Sequence, residues 1–173
     1  MVGISVTEPD IGSDVSAVKC RAEKASIGGQ EGWVINGPKA WCTFAGRADV
    51  LAVLVRTNPD PTPGARGLSL LIVPKDPSTG HPFETAQPNG GRVVGKADAT
   101  PGYRGMHSFT LNFENYFVPA ENLVGGEAGE GRGFYLQMAG FGAGRLQTSG
   151  RACGVAQAAL EETAKYVVDR RQF

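Results

Sequence analysis

The 173-residue chain is 41% hydrophobic, enough for one domain with a core, or one domain and part of a second. Seventeen basic residues balance seventeen acidic ones with no block of like charge, which removes the footprint of a nucleic-acid or anionic-membrane surface and leaves a neutral binding domain or enzyme. Cys20, Cys42 and Cys153 are odd in number and far apart, and His81 and His107 stand alone, so neither a disulfide framework nor a Cys/His metal site is indicated. A reducing, cytoplasmic compartment is the expectation. No apolar run reaches the length of a membrane span, and the N-terminus lacks the layout of a signal peptide, so a soluble protein is expected.

Up to about Asn122, short apolar or alternating segments are separated by Gly, Pro, Asn and Asp clusters, the pattern of a mainly β barrel or sandwich. The first segment of interest, "VTEPDIGSD", puts three carboxylates, a Pro and a Gly between apolar flanks. It reads either as a capped turn or as a nest, in which backbone N–H groups around Gly12 and the hydroxyls of Thr7 and Ser13 face an anion or a ring. Strands are predicted at 3–6, 17–25, 32–35, 39–43, 50–56, 68–73, 92–94, 108–113 and 117–118. The turn-forming "GGQEG", "NGP", "NPDPTPG" and "PNGG" lie between them.

In "KAWCTF", the two-residue period of a strand sets Trp41 and Thr43 on one face and Cys42 on the other. The bland reading is a core Trp beside a surface Thr; the sharper one is an indole wall and a hydroxyl addressing a planar heterocycle. "TNPDPTPGARG" reads as a long hairpin loop. "GGRVVGKA" approaches a P-loop, but Ala97 replaces the Ser or Thr that binds magnesium and "DATPGYRG" cannot open a helix. "GGEAGEGRG" carries Glu127 and Glu130, which repel phosphate and suit a lead-in to a helix N-terminus.

From 131 to 173 the sequence predicts one long helix or two nearly continuous ones. Ala156, Leu160, Ala164 and Val167 form one apolar stripe. Gly140, Gly142, Gly144, Gly150 and Gly154 each cost roughly 1 kcal/mol against Ala in a helix, a penalty that close approach of a helix or ligand offsets. A lone striped helix ending abruptly at "DRRQF" reads as part of a bundle, and the chain as an excerpt.

Taken in order, "VTEPDIGSD", "GWVINGPKAWCTFAGRAD", "GYRGMHSFTLNFENYFVPAENLVG", "GFGAGR" and "YVVDRRQF" resemble the acyl-CoA dehydrogenase family of flavoproteins. The resemblance runs through essentially the whole chain. It implies the family's middle β-barrel domain at 1–127, holding half of an FAD and acyl-CoA site, and the first helix of its C-terminal bundle at 128–173. FAD is then the implied cofactor and an acyl-CoA the implied substrate. For the full-length enzyme an electron-transfer flavoprotein is the implied acceptor, and the assembly is a homo-oligomer without nucleic acid or membrane insertion.

Residue by residue, the resemblance places Val6, Thr7 and Ser13 along the FAD. Thr7 faces the pyrimidine side of the isoalloxazine, and Ser13 lies near the pyrophosphate and the acyl-CoA pantetheine. Trp41, Cys42 and Thr43 border the flavin ring, with the Thr43 hydroxyl toward N5. Arg170, Arg171, Gln172 and Phe173 match positions that reach the FAD of a neighbouring subunit, with Arg170 toward phosphate. Phe141, Gly142 and Arg145 match the helix beside the pantetheine channel.

In the family a Glu takes the α-proton while the β-hydrogen passes as hydride to the flavin, and general-base catalysis contributes ~10²–10⁴-fold. That Glu usually sits late in the C-terminal bundle; some relatives place it before the Arg of this helix, where this chain has Gly144. No catalytic residue is therefore assigned here, and the chain is expected to be inactive by itself. "GYRGMHSF" departs from the family's usual Ser or Thr at Met106 and His107, so a straight-chain substrate is not implied. Two alternatives stay open at this point: an oxygen-using relative such as an acyl-CoA oxidase, nitroalkane oxidase or flavin monooxygenase, and a non-catalytic binding or assembly module.

Overall fold

The computed structural model describes residues 1–102 and 105–173, so Tyr103 and Arg104 of "GYRGMHSF" lie outside the described residues. Two compact units follow one another, Met1–Gln137 and Met138–Phe173. The first is built on strands β1 Val2–Ser5, β2 Arg21–Ile27, β3 Gln30–Thr43, β4 Val50–Arg56, β5 Leu68–Pro74, β6 Pro82–Ala86, β7 Arg92–Ala97 and β8 Ser108–Pro119. They form one sheet in the order β1-β4-β2-β3-β8-β7-β6, with β5 also paired to β4. β1 pairs with β4 at Val2↔Val50 through Ser5↔Val53 and β2 meets it at Arg21↔Arg56, while β5 runs antiparallel along the whole of β4.

The two faces of the curled sheet differ. Ile35, Leu51, Val53, Val55, Leu71, Val93, Leu111, Phe113 and Val118 are buried in one core, with polar residues alternating on the other side. The curl is closed by the end of β8 and the chain that follows it. Val124 N donates to Leu70 O (3.0 Å), Asn122 Nδ2 to Ile72 O (2.8 Å) and the Tyr116 hydroxyl to Pro74 O (2.7 Å), so the continuation of a mid-sheet strand returns onto β5. Lys75 caps the turn that follows β3: its buried ammonium donates to Gly46 O and Ala48 O, both at 2.9 Å, and burial holds its pKa below the usual lysine range.

Several boundaries differ from the sequence expectation, each for a local reason. "NGP" does not break the strand: β3 runs straight through it, because Asn36 Oδ1 accepts Asn115 N (2.9 Å) where β8 inserts an extra residue, and Asn115 takes a φ of 49°. The predicted 108–113 and 117–118 are accordingly one strand, β8. The predicted 17–25 begins later, since Val15–Ala17 form a 3-10 turn and the N–H groups of Lys19 and Cys20 are taken by the Glu8 carboxylate rather than by a neighbouring strand. β6 was not anticipated. Its opening Pro82 is tolerated at an edge, and Phe83 and Thr85 turn inward. The near-P-loop lies in β7.

One continuous helix, α1 Gly133–Asp169, accounts for the predicted helical region. Its first turn belongs to the first unit, and Gly133 is there because nothing larger fits. A Cβ at this position would lie 2.3 Å from the Ser69 carbonyl carbon and 2.5 Å from Leu70 N, while Gly131 N donates to Ser69 Oγ (3.0 Å). In the second unit the helix is exposed, including Leu146, Val155, Leu160 and Val167. No helix among the described residues is long and apolar enough to cross a membrane.

These two environments separate steric need from helix propensity. Gly133→Ala gains a little propensity but meets backbone that cannot yield, so it is expected to destabilise the chain by about 1–3 kcal/mol in chemical denaturation. Gly150→Ala, with open space around its Cβ, is expected to be neutral or to stabilise by up to about 1 kcal/mol.

Candidate functional site: an outward Trp–Thr face beside a buried ion pair

Residues 6–20 are folded around Glu8. Glu8 and Ile11 exchange backbone hydrogen bonds (2.9 and 3.0 Å), making a tight turn that leaves Pro9 and Asp10 exposed at its tip. The Glu8 side chain turns inward, where its carboxylate accepts Lys19 N (2.9 Å), Cys20 N (2.8 Å) and the Lys39 ammonium (3.0 Å). Lys39 is fully buried on β3, and its ammonium also donates to Val6 O (3.0 Å). One residue further along β3, Ala40 N donates to Thr7 O (2.8 Å). "VTEPDIGSD" and "KAWCTF", distant in sequence, are thus hydrogen-bonded neighbours. Of the three carboxylates in the first stretch, Glu8 is structural, Asp14 accepts the Ser16 hydroxyl (2.6 Å) and Asp10 is exposed.

A bulge in β3 sets the face that Trp41 presents. Lys39 pairs with Leu111 and Cys42 with Phe109, so β3 spends one residue more than β8 over this stretch. Without the extra residue, Lys39 and Trp41 would share a face. With it, Lys39 and Cys42 are buried, Trp41 is 60% exposed and Thr43 is half-buried beside it. The expected division of Trp41 and Thr43 from Cys42 therefore holds, through a bulge rather than a plain strand. Trp41 takes a φ of 56°, a left-handed conformation that costs a bulky residue on the order of 1–2 kcal/mol. A strained, exposed indole does little for the core, and such outliers cluster at ligand sites.

Cys42 offers this face its backbone only. Its thiol shares a hydrogen bond with the Ser5 hydroxyl (3.1 Å), and burial pushes its pKa up to about 11; burial pushes that of Cys20 to about 12. The outer face continues across the sheet from Thr43 to Ser108, whose hydroxyls lie 3.5 Å apart. Beyond them Asp98 N donates to Ser108 O and the Thr110 hydroxyl to Asp98 Oδ1, both at 2.8 Å. Among the described residues, Asp98 Oδ2 is buried with no hydrogen-bond partner. Lys39, Asp98 and Ser108 were not singled out from sequence. The available signals were a Lys inside an otherwise apolar strand and Ser/Thr at alternate positions of β8.

The fold ties Val6 and Thr7 to Lys39 and Ala40, the residues that directly precede Trp41, Cys42 and Thr43 on β3. Ser13 lies exposed further along the same loop. In the second unit, Phe141 and Arg145 share a helix face with Gly142 beside them, and Arg145 Nη2 contacts Met138 Sδ at 3.5 Å. Arg170, Arg171, Gln172 and Phe173 follow the end of the helix and are exposed.

A separate cleft of about 1120 Å³ runs between β2 and the β4–β5 loop, lined by Lys19, Lys24, Trp33, Arg56 and Pro61 among others. Its cations are partly engaged: Arg56 donates to Ser16 O and Val18 O, both at 2.8 Å, and Lys24 pairs with Glu130 (2.9 Å) over the Trp33 ring. The two histidines do not stand alone in space. His81 and His107 pack with ring centroids 4.1 Å apart, because the loops before β6 and β8 meet. Among the described residues, no group of three or more His, Cys, Asp or Glu is placed to hold a metal ion.

The sequence matches the family described as "Acyl-CoA dehydrogenase, middle domain" over residues 3–116 and "Acyl-CoA dehydrogenase, C-terminal domain" over residues 131–173. The chain is 42% identical over 168 residues to a (2S)-methylsuccinyl-CoA dehydrogenase of Cereibacter sphaeroides, covering 96% of this chain and 28% of that protein. It is 39% identical to a mitochondrial isovaleryl-CoA dehydrogenase of Oryza sativa subsp. japonica, covering 98% of this chain and 36% of that protein. Among solved structures, an acyl-CoA dehydrogenase from Geobacillus kaustophilus superposes with a TM-score of 0.76 at 31% identity, over 99% of this chain and 40% of the other. The chain thus spans about a third of the length of these relatives.

The geometry yields two expected outcomes. Trp41→Gly removes an indole that the fold does not need and relieves its φ, so stability is expected to be unchanged or raised by up to about 1 kcal/mol in chemical denaturation; a clear loss would assign the ring to the fold. Iodoacetamide at pH 8 is expected to add one label to the native chain, at exposed Cys153, and three after denaturation, counted by mass spectrometry. Labelling of native Cys42 would show that the inner face is open.

Proposed function

Because this chain belongs to the acyl-CoA dehydrogenase family, we propose that it supplies the flavin-facing half of a flavin-dependent α,β-dehydrogenation site for an acyl-CoA thioester. The observation that carries this reading is the junction of the 6–14 loop with β3, which holds Thr7 beside the Trp41–Thr43 face through the Ala40 to Thr7 hydrogen bond. A flat ring, one hydroxyl and loop backbone converging on an open sheet face suit a planar tricycle better than a flexible ligand. FAD, when bound, supplies the two-electron acceptor.

The residues of this chain hold and orient. Thr7 would hydrogen-bond the flavin, Trp41 would pack against its ring, and the Thr43 hydroxyl would donate to the edge of the ring that takes up hydride. Val6 and the Cys42 backbone shape the edges of this face. Ser13 serves the pyrophosphate and pantetheine. Phe141, Gly142 and Arg145 border the pantetheine, and Arg170, Arg171, Gln172 and Phe173 reach the cofactor of a neighbouring subunit in a homo-oligomer. The proposed domain division is 1–127 and 128–173. An electron-transfer flavoprotein is the proposed acceptor, and no residue here is assigned as the base, the position used by some relatives being Gly144.

FAD titration into the purified chain, read by quenching of flavin emission, tests this. Saturable quenching that weakens in Thr43→Val and is lost in Trp41→Gly is expected, with substoichiometric flavin after purification and no dye reduction by any acyl-CoA. Absence of saturable quenching in the unmutated chain would overturn the flavin reading, and dye reduction would show that a base is present after all.

A further inference from the structure

We propose that the buried Glu8–Lys39 pair is a positioning device for the cofactor face, so that the two charges set the placement of Thr7 relative to Trp41; this rests on the flavin reading above. Stability alone does not account for the pair. Both side chains are withdrawn from water, 5% and 0% exposed as residues, and apolar replacements of buried ion pairs are often neutral or stabilising. Leu or Met at these positions cannot supply directional hydrogen bonds, and the pair makes four.

Lys39 donates to Val6 O and to Glu8, which fixes the chain on either side of Thr7. Glu8 also accepts Lys19 N and Cys20 N, so the far end of the loop carrying Gly12 and Ser13 is tied to the same carboxylate. Lys39 itself immediately precedes the bulge that turns Trp41 outward. The start of the loop, its end and the root of the bulge therefore converge on one pair of opposite charges. Neither residue touches the ligand face, so both act through Thr7 and Trp41.

Glu8→Gln, Lys39→Met and the apolar pair Glu8→Leu/Lys39→Met test this in the full chain. Each folded variant is assayed for hydrogen exchange of the Ala40 amide, which reports the bond to Thr7, and for FAD affinity and emission of bound flavin. The apolar pair is expected to melt within a few degrees of the unmutated protein, with Ala40 exchange faster and FAD binding weaker by at least tenfold each. Any folded variant with unaltered Ala40 exchange and unaltered FAD affinity would overturn the proposal. So would failure of all three to fold, which would make the pair a requirement of the fold rather than a separable device. If the unmutated chain shows no saturable FAD binding, the flavin reading fails on its own account, while the Ala40 exchange still decides whether the pair sets the loop.

Discussion

An ammonium group and a carboxylate withdrawn from water at the junction of a loop and a strand impose a constraint that the rest of the first unit accommodates. Desolvating both charges is costly, and in this protein the cost is offset by hydrogen bonds to both: Lys39 with Val6 O and Glu8, Glu8 with two further backbone N–H groups. Those bonds use up donors that β2 needs in order to begin at Lys19 or Cys20, so β2 starts at Arg21 and the chain before it becomes a shaped loop. The same ammonium requires an inward position on β3. An indole two residues later, on a regular strand, would then be inward as well.

The bulge resolves that conflict. One extra residue between Lys39 and Cys42 reverses the phase of the strand, which lets a buried lysine and an outward tryptophan coexist on one segment. The opposite bulge, with the extra residue on β8 at Asn115, lets "NGP" pass through the sheet without ending it. Two irregularities of opposite sense on the same strand pair allow both strands to remain long enough to carry the core on one side and the row Trp41, Thr43, Ser108 and Thr110 on the other. Closure of the curl through residues 122–124 then makes this face a property of the whole sheet rather than of one hairpin.

Much of this was legible in the amino-acid sequence where local chemistry and global structure agree. β4 coincides with its predicted limits because Val50 to Arg56 is apolar, β-branched and bounded by turn formers. The helix beginning near "GRG" and the shared face of Trp41 and Thr43, opposite Cys42, were legible for similar reasons, whereas which of the two faces is outward was not. What was not legible depends on partners remote in sequence. "NGP" is a turn signal until Asn115 answers Asn36, and Lys39 looks like a surface residue until Glu8 is placed 3.0 Å away. β6 was missed since Pro82 and the short alternation of Phe83 and Thr85 gain strand character only from pairing with β7. That the chain at Thr7 lies against the strand carrying Trp41 was also not legible locally, since it depends on the Ala40 to Thr7 hydrogen bond between segments distant in sequence.

The chain has two tryptophans, and the fold treats them oppositely. Trp33 is 3% exposed with the Lys24 ammonium 5.2 Å above its ring, whereas Trp41 is 60% exposed at the bulge. Their intrinsic emission should therefore separate by wavelength, the buried indole emitting to the blue and the solvated one to the red. One spectrum then carries two independent channels: the blue component follows the integrity of the sheet, and the red component follows whatever settles on the outer face, without any label attached to the protein.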